Sequence, residues 1–132
     1  MIPILGGFPI LHDLFPRIDF AAIGSITGDQ YASTFDINVK GALFTLQKAL
    51  SLLPHGASIL WNASMAGAKG IPAFSVYSAS KAAVRSFARS WTMDLKHRKI
   101  RVNAISREAM ETPGWVALGG TPCSANSYVL RA

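Results

Sequence analysis

The sequence ASILWN, at residues 57–62, is a short apolar run that Pro54 and Gly56 separate from the preceding segment. A run of this length beside turn residues predicts a buried β-strand. The sequence IRVNAI, at residues 100–105, has the same character and predicts a second buried strand. Strands this apolar are typical of a parallel sheet covered by helices on both faces, which places the chain in the α/β class.

Two long helical patterns accompany the strands. Thr27 and Gln30 have the spacing of a capping box at the start of the first helix, and Pro54 follows its end. The second pattern covers residues 75–95. Apolar residues recur at spacings of three and four, which predicts one buried face on each helix. The residues predicted to face inward are Tyr31, Phe35, Val39, Leu43, Leu46, Leu50 and Leu53 in the first helix and Val76, Ala79, Ala83, Phe87, Trp91 and Leu95 in the second.

The loops that follow the two strands are where the sequence predicts chemistry, because ligands of open parallel sheets bind beyond the carboxyl ends of the strands. Ser64 begins a glycine-rich loop after the first strand, and residues 107–112 follow the second. Both loops are therefore expected at one edge of the sheet. Residues 10–15, ILHDLF, predict one more strand.

Composition indicates one packed domain over residues 1–132, since half of the residues are apolar and 15% are charged. The first eleven residues are apolar, but they lack a basic region and are interrupted by Pro3 and Gly6. Neither a signal peptide nor a membrane span is therefore predicted. Cys123 is the sole cysteine, which excludes an internal disulfide framework and fits a reducing, cytoplasmic location.

The net charge of +6 raises the alternative of nucleic-acid binding, because eight of the 13 basic residues fall between Lys81 and Arg107. Lys96 and Lys99, however, lie where cations favour a helix C-terminus. The sequence also has no zinc-finger spacing, RNA-binding aromatic signature or basic heptad. No metal site is therefore expected, and nucleic-acid binding stays open as the less favoured alternative.

The sequence YSASK places Tyr77 and Lys81 four positions apart, so both side chains project from one face of the second helix. A free tyrosine has a pKa near ~10, and a neighbouring ammonium favours the phenolate and brings that pKa toward the range useful for proton transfer. A serine hydroxyl at the end of the adjacent strand, such as that of Ser64, could polarise a substrate carbonyl.

Residues 30–114 resemble the carboxyl-terminal half of a short-chain dehydrogenase/reductase. The matching features are Asn38 in FDINVKG, Ser64 after the strand, Tyr77 and Lys81 in YSASK, and the RVN sequence at residues 101–103. Ser64 precedes Tyr77 by 13 positions and Asn38 precedes Ser64 by 26, as in that family. The family-like core extends over about residues 24–118.

The resemblance implies a partial Rossmann-like, doubly wound parallel sheet that lacks the first β-α-β units. It implies hydride transfer between NADP or NAD and a carbonyl or secondary alcohol. Tyr77 would be the acid/base, and Ser64 would hydrogen-bond the reacting oxygen. Lys81 would assist Tyr77 and bind the nicotinamide ribose, to which Tyr77 also contributes, and Thr112 would bind the carboxamide. Asn38 would hold a water that relays protons to Lys81, or it is a buried amide bonded to neighbouring backbone.

Three features depart from the family, and each concerns the cofactor. The 132 residues contain no glycine-rich G-x-G-x-x-G turn to hold a pyrophosphate. Residues 16–19 replace the family's asparagine-alanine-glycine turn, and the bulk of Arg17 is not expected to allow a close approach of the backbone. Arg107 and Glu108 replace a proline-glycine pair.

Two further alternatives follow from these departures. In the family, the two long helices pair across a subunit interface, so the chain could act without catalysis as an association module and form a homo-oligomer. The chain could also be an inactive gene remnant. Cofactor binding distinguishes a catalytic protein from both.

Overall fold

A computed structural model of the chain describes residues 4–5, 8–9, 16–107 and 127–130, with side chains over residues 16–106. The β-strands are β1 (Ile4–Leu5), β2 (Phe8–Pro9), β3 (Ser58–Ser64), β4 (Arg101–Arg107) and β5 (Ser127–Leu130). The α-helices are α1 (Gly28–Phe35), α2 (Gly41–Ala49) and α3 (Ser75–Asp94). A π-helical turn (Asp36–Lys40) joins α1 to α2, and 3-10 turns occupy Leu50–Leu52, Met65–Gly67 and Lys96–Arg98.

The two predicted strands form the parallel pair at the centre of the fold. β3 and β4 pair over seven residues, from Ser58 opposite Arg101 to Ser64 opposite Arg107. β5 adds to the other edge of β4 in the antiparallel direction, so the sheet is mixed rather than purely parallel. Antiparallel edge strands are common on such sheets. β1 and β2 form a separate antiparallel pair. The strand predicted at residues 10–15 lies outside the described residues.

The hydrophobic core lies between the sheet and the helices. Alternate residues of β3 are buried, and the residues between them are half-buried, so the described elements cover one face of this strand fully. The cover of the second face of β3 stays a prediction, since that face is half-buried against the described elements. The buried side chains of the two strands include Ile59, Trp61, Ala63, Val102 and Ala104, which cluster with Leu46, Val84 and Ala88 of the helices.

The first predicted helix is continuous from α1 through the 3-10 turn, but its buried face is not the predicted one. Thr27 caps it as predicted, since its Oγ1 accepts a hydrogen bond from the Gln30 amide at 3.1 Å. Tyr31 is 52% exposed. Phe35, Val39, Leu43 and Leu50 are half-buried, whereas Leu46 and Leu53 are buried as predicted. The buried positions are Thr34, Asn38, Ala42, Leu46, Ala49 and Leu53.

The buried face of the second helix also differs from the predicted one. Val76 and Leu95 are buried as predicted, but Ala79 is exposed and Ala83, Phe87 and Trp91 are half-buried. The buried positions of α3 are Val76, Tyr77, Ser80, Lys81, Val84 and Ala88. Small and hydrogen-bonding side chains thus occupy the close helix contacts. The large rings of Phe87 and Trp91 stack on each other at the flank, with their centroids 4.7 Å apart.

The basic cluster is partly used for folding. Lys81 is buried, and the guanidinium of Arg98 donates hydrogen bonds to the carbonyls of Leu50 and Leu53 at the end of the first helical run. Two of the eight basic residues are therefore not available to a phosphate backbone. Within the described segments, no helix is long and apolar enough to cross a membrane; the cytoplasmic location stays a prediction.

Lys99 has φ = 54°, in the left-handed region that favours glycine, and its side chain is exposed. Lys99→Gly is expected to raise the free energy of unfolding by about 1 kcal/mol, because the left-handed conformation costs an ordinary residue roughly that amount. Lys96→Gly is the matched control, since it removes the same charge from an exposed 3-10 position. It is expected to destabilise slightly. Urea unfolding followed by tryptophan fluorescence measures both, and a destabilised Lys99→Gly would contradict the argument.

Candidate active site

Tyr77 and Lys81 lie on the buried face of α3, one turn apart. Tyr77 is 8% exposed and Lys81 is 1% exposed. The Lys81 Nζ lies 5.8 Å from the centroid of the Tyr77 ring, within the range of a cation–π contact. It also donates a hydrogen bond to the Asn62 carbonyl at 3.0 Å, which ties the ammonium to β3.

Ser64 is the last residue of β3, at the carboxyl edge where the sequence predicts chemistry. Its Oγ accepts a hydrogen bond from the Ala66 amide at 3.1 Å, and the residue thereby caps the 3-10 turn that follows. Because the oxygen is used as an acceptor, the hydroxyl proton is left to donate. The next turn brings Ala66 into a buried cluster with Tyr77, so the loop after Ser64 packs against the helix that carries the tyrosine.

Gly67 makes the closest contact between this loop and α3. A Cβ added at Gly67 would lie 2.9 Å from the Ala82 backbone nitrogen and 3.0 Å from the Lys81 carbonyl carbon. Real Cβ atoms essentially never approach other atoms so closely. A residue without a side chain therefore sets the spacing between the Ser64 turn and the Lys81 backbone.

Asn38 is completely buried in the π-helical turn, and its amide is held on three sides. Its Oδ1 accepts from the Arg17 amide at 2.9 Å, and its Nδ2 donates to the Arg17 carbonyl at 2.9 Å and to the Ser80 Oγ at 3.0 Å. Both amide protons are thus engaged, which agrees with a buried amide bonded to backbone. The water relay to Lys81 stays a prediction.

The backbone of Arg17 lies within hydrogen-bonding distance of the Asn38 amide. The expectation that residues 16–19 do not allow a close approach to the cofactor stays a prediction. The side chain of Arg17 is 45% exposed and pairs with Asp19, with the Nε and Oδ2 atoms 2.6 Å apart. The guanidinium therefore points away from the contact, and only main-chain atoms of Arg17 meet the amide.

Ser80 is a residue that the sequence analysis did not identify as part of the site. It is completely buried, accepts from Asn38 and donates to the Tyr77 carbonyl at 2.7 Å. Its position one turn after Tyr77 was a usable signal, because i and i+3 residues share a helix face. The sequence alone does not show that Asn38 reaches it, since the two are 42 positions apart.

An aromatic row leads outward from the tyrosine. The Tyr77 and Phe74 centroids are 5.7 Å apart, and those of Phe74 and Phe20 are 4.4 Å apart, with both pairs close to edge-to-face. Phe74 is buried, whereas Phe20 is 42% exposed. Ala73, just before Phe74, has φ = 61° and accepts a hydrogen bond from the Ala21 amide at 2.9 Å. Backbone strain of this kind is found at ligand sites.

Two predicted features of the site are not covered by the structure. Thr112 and the Glu108 loop lie outside the described residues, although Arg107 ends β4 as its last paired residue. Across the described part of the chain, no group of three histidine, cysteine, aspartate or glutamate side chains could hold a metal ion.

Comparison with known proteins identifies the family. A sequence profile described as Enoyl-(Acyl carrier protein) reductase, of the short-chain dehydrogenase/reductase class, matches residues 16–129. The chain belongs to the short-chain dehydrogenase/reductase family. It is 45% identical to the oxidoreductase asL5 of Sarocladium schorii over 92 residues. The aligned region covers 68% of this chain and 37% of that protein.

Other members of the family are similar over the same region. A probable tetrahydroxynaphthalene reductase of Zymoseptoria tritici is 35% identical over 96 residues, which is 72% of this chain and 36% of the relative. Among solved structures, the landomycin C-6 ketoreductase LanV with bound NADP and rabelomycin superimposes with a TM-score of 0.68. It is 27% identical, over 72% of this chain and 39% of its own. The chain thus spans less than half the length of each of these proteins.

The described residues fit one end of a nicotinamide cofactor. The Tyr77 hydroxyl and the Lys81 ammonium are hydrogen-bonding groups of the kind that ribose hydroxyls need. A pyrophosphate needs backbone amides that approach it closely, usually at glycines. The one described glycine in tight packing, Gly67, faces α3 rather than a ligand cavity. The fit therefore extends to the nicotinamide-ribose end and not to the pyrophosphate.

Proposed function

We propose that this short-chain dehydrogenase/reductase chain carries the proton-transfer residues for reduction of a ketone by NADPH, or for the reverse oxidation of a secondary alcohol. The observation that carries the proposal is the convergence of the Ser64 turn on the helix turn that bears Tyr77 and Lys81. Ala66 belongs to the buried cluster that contains Tyr77, and Gly67 lies against the Lys81 backbone. Asn38 supports the same turn through Ser80.

Each residue has a chemical task. A bound NADPH would supply the hydride for the carbonyl carbon. The Ser64 hydroxyl donates a hydrogen bond to the carbonyl oxygen, and the Tyr77 hydroxyl transfers its proton to that oxygen as the alcohol forms. Lys81 stabilises the phenolate that remains, because its ammonium lies close to the ring in a shielded site. Lys81 and Tyr77 also bind the nicotinamide ribose, and Thr112 binds the carboxamide.

The substrate that we propose is a ketone on a fused aromatic ring system. The relative from Zymoseptoria tritici is named for tetrahydroxynaphthalene, and the similar ketoreductase structure contains rabelomycin. In this chain, the aromatic row of Phe20, Phe74 and Tyr77 offers ring edges and faces beside the proposed acid. Aromatic pairs of this geometry add to the free energy of apolar contact.

The first test is a fluorescence titration of the purified chain with NADPH, monitored through energy transfer from Trp61 and Trp91. The second test is an assay of ketone-dependent NADPH oxidation. Saturable binding and oxidation of NADPH in the presence of 2-tetralone are expected. The absence of saturable binding at millimolar NADPH would overturn the proposal for this chain.

Phe20→Ala is expected to raise KM for 2-tetralone by up to about tenfold, because it removes an aromatic contact worth roughly 0.5–1.5 kcal/mol beyond its apolar area. A small aliphatic ketone is the control substrate, since it is too short to reach Phe20, and its KM is expected to change less than about twofold. Equal effects on both substrates, or none on 2-tetralone, would exclude Phe20 from substrate binding.

A second candidate function is association of two copies through the long helices. The observation that favours it is the set of exposed apolar side chains on them, namely Tyr31, Ile37, Phe44, Leu52 and Met93. Sedimentation velocity over a range of concentrations tests it. A homo-oligomer without NADPH affinity would support this candidate over catalysis, and a strictly monomeric chain would contradict it.

A further inference from the structure

We infer that Ser80 is a positioning residue that holds the Tyr77–Lys81 turn of α3 in place by joining it to Asn38 and, through Asn38, to the backbone of Arg17. The inference rests on the proposed role of Tyr77 as the acid/base. It concerns a residue between the tyrosine and the lysine that does not itself act on the substrate.

The contacts form one continuous chain of hydrogen bonds. The Arg17 main chain exchanges two bonds of 2.9 Å with the Asn38 amide. Asn38 Nδ2 then donates to the Ser80 Oγ at 3.0 Å, and Ser80 donates to the Tyr77 carbonyl at 2.7 Å. Asn38 and Ser80 are both completely buried, so water does not compete for these bonds.

The bond from Ser80 to Tyr77 alone would be unremarkable, because helical serines often donate to a carbonyl of the preceding turn. The Ser80 hydroxyl also accepts a hydrogen bond from the Asn38 amide, so it links two elements. This bond makes Ser80 the junction between α3 and the π-helical turn, at the one turn of α3 that carries both Tyr77 and Lys81. Removing the hydroxyl leaves an amide proton of Asn38 buried without its acceptor.

The loss of this junction should therefore be seen at Tyr77 itself. A shift of about 1 Å in a catalytic group lowers the rate by up to about a hundredfold. Ser80→Ala is expected to lower kcat by about tenfold to a hundredfold, with KM within about twofold of the original value. Ser86→Ala is the matched control, since Ser86 is exposed on the same helix.

The decisive measurement does not need activity. The chain is labelled with 3-fluorotyrosine, and the ¹⁹F resonance of Tyr77 is assigned by its absence in Tyr77→Phe. Ser80→Ala is expected to shift or broaden this resonance and to leave that of Tyr31 unchanged, while Ser86→Ala alters neither. If Ser80→Ala does not fold, Ser80→Cys replaces it, because a thiol fills the site but is a weak hydrogen-bonding group.

The outcomes separate the two proposals. An unchanged Tyr77 resonance in folded Ser80→Ala or Ser80→Cys would overturn the positioning role, whether or not the chain reduces ketones. A shifted resonance in a chain that neither binds NADPH nor reduces ketones would support the positioning of Tyr77 and would reject the proposed function.

Discussion

Gly67→Ala is expected to lower the free energy of unfolding by about 2 kcal/mol, within the range for overpacking of a well-packed site. The added methyl group would meet the Ala82 nitrogen at 2.9 Å and the Lys81 carbonyl carbon at 3.0 Å. Both are backbone atoms inside a 20-residue helix, so no side-chain rotation relieves the contact. Either the Ser64 turn or the Lys81 turn of α3 has to move.

Gly70→Ala is the matched control in the same loop, because a Cβ at Gly70 meets nothing within 4 Å. Its effect on stability is expected to stay within about 0.5 kcal/mol. Urea unfolding followed by tryptophan fluorescence compares the two variants. Equal stabilities for Gly67→Ala and Gly70→Ala would show that the loop moves at little cost in free energy. Gly67 would then not set the distance between the Ser64 turn and α3.

The order of the two central strands and the two long helices was predictable because it depends on local features of the sequence, whereas β1, β2 and β5 were not predicted. ASILWN and IRVNAI are strands in the structure, and they pair in parallel with their carboxyl ends together. Their apolar side chains and the turn residues around ASILWN act over a few positions, which is the distance at which sequence patterns are informative. The start of α1 was equally predictable, since the Thr27 cap involves an amide three residues away.

The buried face of each long helix was not predictable from apolar spacing. The close contacts are made by residues such as Ala42, Ser80 and Ala88, which are small, while Tyr31 and Phe87 lie at the flank. A periodicity argument favours the largest apolar side chains as the buried ones. Where helices approach closely, small residues occupy the contact, and the pattern is displaced by about one position.

In the candidate site, too, the local relations between residues were predictable from the sequence and the long-range contacts were not. The tyrosine and lysine of YSASK share a helix face because the spacing of four dictates it. The contacts of Asn38 with Arg17 and Ser80 span 21 and 42 positions. No local pattern encodes them, and the π-helical turn around Asn38 has no propensity signal of its own. The polarity of Asn38 in an apolar stripe was the one clue that the residue had partners.

Tyr77→Phe has the largest expected effect on activity, a loss of roughly 10²–10⁴-fold in the rate of ketone reduction. The substitution removes the hydroxyl that transfers the proton and keeps the ring. Because the ring keeps its contact with Phe74 and its place in the buried cluster with Ala66, stability is expected to change by no more than about 1.5 kcal/mol, the value of one hydrogen bond. Tyr31→Phe is the control, since Tyr31 is 52% exposed and stacks on Phe35 away from the site.

The comparison of kcat with NADPH affinity decides what Tyr77 does. If the hydroxyl acts mainly in proton transfer, Tyr77→Phe lowers kcat while the dissociation constant for NADPH rises by less than about tenfold, because Lys81 remains as a partner for the ribose. A fall in affinity that accounts for the whole loss of rate would make Tyr77 a cofactor-binding residue and not the acid. Full activity in Tyr77→Phe would remove it from the mechanism, and the Ser64 hydroxyl and the Lys81 ammonium would be left as candidate donors.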